Sequence, residues 1–130
     1  MSTRLPWTEA LASWQPAAIV ERLTDDAVIR VAVHDAPMQG REVAEFLFGV
    51  LSEELAAPRV TDEIVEGDRA VVLFETEIRG QAAQGLNVVR HAPDGRVADL
   101  TVFFRPLESL ATIAEVVGAR MAERFGPPPG

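Results

Sequence analysis

Residues 60–104 read VTDEIVEGDRAVVLFETEIRGQAAQGLNVVRHAPDGRVADLTVFF, and the fold follows from how this run divides. Gly67-Asp68, Arg79-Gly80 and Pro93-Asp94-Gly95 are turn sequences. Between them stand Val60 to Glu66, Ala70 to Ile78, Gln84 to His91 and Val97 to Phe104, which read as strands. Strands joined by such short turns pair antiparallel with their neighbours. On the last strand Ala98, Leu100, Val102 and Phe104 form one face and Asp99, Thr101 and Phe103 the other, the first set pointing inward. Along Ala70 to Ile78 two alternations compete. Val71 and Leu73, continued by Glu75 and Glu77, form one face, while Val72, Phe74, Thr76 and Ile78 form an equally apolar alternative. Periodicity therefore leaves open which way Glu75 points.

The flanks of this run are helical. Pro6 suits a first helical turn, with Trp7, Leu11 and Trp14 at i, i+4 and i+7 on one face. Pro16 restarts a helix through Ile19, Val20 and Leu23, which Asp25-Asp26 ends. Ala27 to Val33 is short and β-branched and predicts a strand. Pro37 and Gly40 mark a loop. From Arg41 the apolar residues Val43, Phe46, Leu47, Val50, Leu51 and Leu55 follow helical spacing until Pro58. After Pro106, the residues Leu107, Leu110, Ile113, Ala114, Val117 and Met121 make a closing helix. Helices gathered on one face of an antiparallel sheet give an α+β domain spanning residues 1–125. The Pro/Gly tail 126–130 is expected to be disordered.

Composition narrows the chemistry. The chain has 130 residues, no Cys, no Tyr and no Lys, since all twelve basic residues are Arg. Disulfides, thiolate nucleophiles, a Schiff-base lysine and a phosphate-loop lysine are thereby excluded. A net charge of −8 with no Arg cluster disfavours nucleic acid as a partner. No apolar stretch approaches the ~20 residues that span a bilayer, and the first residues lack a signal-peptide core. The expectation is a cytoplasmic protein with no membrane partner. His34 and His91 lie too far apart for a metal-ligand spacing, so no metal and no cofactor are expected.

The spacing of several short motifs resembles the nuclear transport factor two-like superfamily. These are Thr24-Asp25-Asp26-Ala27-Val28, Gly40-Arg41-Glu42, Glu66-Gly67-Asp68-Arg69 and Pro93-Asp94-Gly95-Arg96-Val97. Together they cover nearly the whole chain, and the superfamily includes SnoaL-like polyketide cyclases, ketosteroid isomerases and limonene epoxide hydrolases. The resemblance implies a cone-shaped curved sheet wrapped around helices, the cystatin-like α+β barrel, with an apolar pocket inside. It also implies a homodimer through the outer sheet face, which Thr101, Phe103 and Val89 would make apolar.

Carried over residue by residue, the resemblance departs from each known catalytic set. The isomerases' catalytic Asp falls at Val31, their Tyr donor at Trp7 and their protonated Asp donor at Asn87. One carboxylate of the epoxide hydrolases falls at Glu75, but their Arg falls at Leu73 and their second carboxylate at Val102. The polar equipment that remains is Glu75 as proton acceptor, Asn87 as carbonyl or oxyanion donor, and His34 as a titrating group at the rim. If buried, Glu75 would serve as a general acid or base; on the opposite face it would pair with Arg79 or Arg90. Trp7, Trp14, Val31, Phe46, Leu73, Leu100, Val102 and Phe104 are the expected lining. Two functions stay open. One is a cofactor-independent isomerase or cyclase of a small apolar carbonyl compound. The other is a non-catalytic, dimeric module binding a small apolar ligand. An epoxide-hydrolase-like or engineered-scaffold hydrolase is a further alternative.

Overall fold

The computed structural model describes residues 4–33 and 35–126. Pro6 opens α1 (Pro6–Ser13), which ends where Trp14 turns left-handed at φ 53°. Pro16 then starts α2 (Pro16–Glu21). The chain passes into β1 (Leu23–Arg30), the two-residue β2 (Met38–Gln39) and α3 (Arg41–Glu54). Then follow β3 (Arg59–Glu66), β4 (Arg69–Ile78), β5 (Gln81–His91), β6 (Val97–Arg105) and α4 (Leu107–Phe125). The strands form a curved, unclosed sheet of order β2-β1-β6-β5-β4-β3.

The turns that divide residues 60–104 behave as their sequences require. β3 to β6 run antiparallel to one another in chain order. Arg79 and Gly80 both take positive φ, 48° and 81°, and connect Ile78 to its register partner Gln81. That is the primed turn whose twist matches the strands it joins. In the β5–β6 turn the Asp94 carboxylate accepts from the Arg96 backbone N–H at 2.9 Å and from its guanidinium at 2.9 Å.

The sheet departs from the sequence expectation at its other end. β1 begins at Leu23, so Asp25-Asp26 lies within a strand and α2 has already ended at Glu21. β1 ends at Arg30 rather than Val33. It also pairs parallel with β6, through Ile29 and Leu100, so the sheet is not wholly antiparallel. The Val97 N–H donates to Arg22 O at 2.7 Å, anchoring this junction.

One face of the sheet carries the core. On β4 the buried residues are Ala70, Val72, Phe74, Thr76 and Ile78. Register aligns Val72 with Asn87 and Val102, and Phe74 with Gly85 and Phe104. Ala70, Val89 and Leu100 continue the same face. Trp7, Ile19, Ile29 and Leu47 complete the core from the helices and β1. Val89 therefore points inward, and its neighbour Val88 takes the outer position expected of it. Leu73, Glu75 and Glu77 belong to the outer face with Leu86 and Phe103. A one-residue change of alternation moves every side chain of a strand across the sheet.

Candidate functional site

A cavity of about 450 Å³ lies between the inner face of the sheet, α3 and α4, within the range of small-molecule sites. Each wall follows from helical or strand periodicity. Leu47, Phe48 and Leu51 face it from α3, Ile113, Val117 and Met121 from α4, and Val102 and Phe104 from β6. Val31 to Val33 and Ala36 to Met38 close one side. Behind Phe104, Gly85 leaves room for another ring: a Cβ on it would lie 2.6 Å from Phe74 Cζ. Its absence lets the Phe74 ring cross β5 and meet Phe104 edge-on, with centroids 5.9 Å apart.

Every described lining side chain is apolar. The groups whose titration is displaced lie elsewhere. The Arg96 backbone N–H, and then its guanidinium, hold the Asp94 carboxyl below the usual carboxylate range. The carboxylates of Asp94 and of Glu53 raise Arg96 and Arg120 in turn. Among the described residues no three His, Asp or Glu side chains gather as metal ligands would.

The structure separates the residues that sequence reading grouped. Val31, Val102 and Phe104 stand along the cavity. Leu100 and Trp7 are buried beneath it in the core. Trp14 is spent on the scaffold, its indole N–H donating to Leu55 O at 3.1 Å. Phe46 stands behind the wall, edge-on to Phe125 at 5.5 Å. Leu73 and Glu75 are on the outer face. The Glu75 carboxylate is 41% exposed and ion-paired with Arg59 on β3, its direct register partner, rather than with Arg79 or Arg90. Glu75 and Asn87 thus lie on opposite sides of the sheet and form no joint site. His34 lies outside the described residues.

Asn87 does face inward and is buried, where its Oδ1 accepts from the Trp7 indole N–H at 3.2 Å. An indole can only donate, so the amide oxygen must be the atom turned toward it. The two donors expected at a ligand carbonyl are bonded to each other. Sequence reading left out much of the lining, among it Leu47, Leu51, Ile113, Val117 and Met121, although their helical spacing was visible. Periodicity marks an inward stripe and does not say which part of it borders a void.

No family profile and no curated protein sequence matches the chain. Solved structures do. A steroid delta-isomerase from Pseudomonas aeruginosa superposes with TM-score 0.80 at 22% identity, over 92% of this chain and 88% of that one. An uncharacterized bacterial protein with a cystatin-like fold from Silicibacter pomeroyi gives 0.81 at 18%, over 88% and 82%. The epoxide hydrolase/cyclase-like enzyme SalBIII, of pyran ring formation in the polyether salinomycin, gives 0.66 at 17%, over 79% and 87%. At these identities the likeness is one of architecture, the curved, unclosed sheet with its helices. The chain has the nuclear transport factor two-like, cystatin-like fold.

Proposed function

We propose that this chain binds one small, apolar organic molecule inside the cone without transforming it. The observation that carries this reading is the lining: about 450 Å³ walled by apolar side chains, with no ionisable group among the described ones. Proton transfer needs an acid or base within hydrogen-bond reach of the reacting atom, and Glu75 stands across the sheet, paired with Arg59. Apolar burial alone supplies about 25 cal/mol per Å², which is enough to retain a ligand of this size. The isomerase or cyclase reading has no described base, and Asn87, bonded to Trp7, is not among the described lining residues. The same reading includes a homodimer through the outer sheet face.

A displacement assay tests the binding reading. Phenylnaphthylamine, a neutral apolar fluorophore, is expected to brighten on binding and to be displaced by small neutral apolar compounds. A ligand present at 100 times its dissociation constant adds about 2.7 kcal/mol of stability, visible as a raised Tm. Turnover of an apolar carbonyl or epoxide compound that is lost in His34→Ala or Glu75→Gln would overturn the reading. So would the absence of any binding.

A further inference from the structure

The geometry points to Phe125 as the end-stop of the cavity, the residue that sets how long a ligand the protein accepts. This inference rests on the binding reading above. Among the described lining residues only Pro37, Phe125 and Gly126 are exposed. The opening therefore lies between the 35–37 segment and the last turn of α4, and inside it buried side chains such as Leu47 and Ile113 close the wall. A linear ligand entering there has a fixed inner limit and an outer limit at the Phe125 ring.

Three contacts hold that ring at the opening. It meets Phe46 edge-on at 5.5 Å with an interplanar angle of 90°, one of the favoured aromatic geometries. The neighbouring Arg124 donates to Glu42 at 2.8 Å and ties the last turn of α4 to the first turn of α3. The Arg124 guanidinium also stands 5.0 Å from the ring centroid. Yet Phe125 remains 40% exposed. A large aromatic side chain left partly wet at the mouth of an apolar cavity gains burial when a ligand reaches it. The ring thus rewards a chain that extends to the opening and blocks one that extends beyond.

The cavity has room for about fifteen water-sized groups at ~30 Å³ each. The ligand class that fits is an uncharged, flexible hydrocarbon chain. A single polar end is accommodated at the opening, where the most exposed of the described lining residues stand.

The straight-chain primary alcohols from hexanol to hexadecanol are the probes, measured by displacement of phenylnaphthylamine. For the wild type, affinity is expected to rise about fourfold per added methylene and then to stop rising at one length. Phe125→Ala is expected to move that break to longer alcohols by at least two methylenes. Phe125→Trp is expected to move it to shorter ones, and Phe125→Leu to leave it near the wild-type length. Substitution at the exposed end of α4 leaves the core intact, and an unchanged Tm without ligand checks this. A break at the same length in Phe125→Ala and Phe125→Trp overturns the end-stop while the binding reading stands. Failure of every alcohol and of the fluorophore to bind the wild type overturns both.

Discussion

The pairing of Trp7 with Asn87 illustrates how a residue type can be legible while its role is not. Both were apparent as hydrogen-bonding groups in a chain without tyrosine. They are 80 positions apart in sequence, and nothing in local spacing announces that they meet. Once they do, their chemistry is determined: Asn87 is 3% exposed, and its amide oxygen needs a donor there. Trp7→Phe keeps a large ring against Phe48, which Trp7 meets edge-on at 6.3 Å, but leaves that oxygen unsatisfied. We expect a loss of about 1–3 kcal/mol in urea unfolding. In Trp7→Phe/Asn87→Leu, where neither partner is polar, most of that loss should be recovered. Equal stability of wild type and Trp7→Phe would show that the bond contributes nothing.

At the level of elements, helices and turns were legible and the facing of β4 was not. The helical stripes of α3 and α4 have one apolar side each, so periodicity assigns their inner face directly. β4 has two apolar sides. Val72 and Phe74 pack in the core, and Val71 and Leu73 lie on a second apolar surface outside it, so alternation carries no sign. Glu75 was ambiguous for that reason. The start of β1 was hidden differently, because Asp25 and Asp26 look like a helix end and are tolerated in the exposed part of a strand. The β4–β5 hairpin gives a test at this scale. Arg79 adopts φ 48°, a conformation that costs most side chains energy and that Asn adopts more readily. Arg79→Asn supplies the Asn-Gly pair this turn favours and gives up only a long 3.7 Å contact with Glu54. A gain of up to about 1 kcal/mol is expected, read as a higher Tm; a lower Tm would refute the turn argument.

For the whole molecule, the second apolar surface of β4 has a consequence for association. Register places Ile64, Val71, Val88 and Thr101 in one outer row and Leu73, Leu86 and Phe103 in the next. Ile64 and Phe103 are more than half exposed. The same register sets Arg30, Arg59, Arg69, Arg90 and Arg105 on this face, against Asp62, Glu66, Glu75, Glu77 and Asp99. Five positive charges balance five negative ones, in a chain whose net charge is −8. The excess negative charge therefore lies elsewhere, so two copies brought together through this face would not set like charge against like. Contiguous exposed apolar surface of this kind favours a two-fold contact between identical patches. Light scattering at micromolar concentration should give twice the chain mass, with a Tm that rises with protein concentration. Leu86→Glu sets two charges against each other across such a contact and should give the monomer mass. It leaves the inner face untouched, so phenylnaphthylamine binding should persist. A wild-type monomer under the same conditions would mean that the outer face is apolar for some other reason.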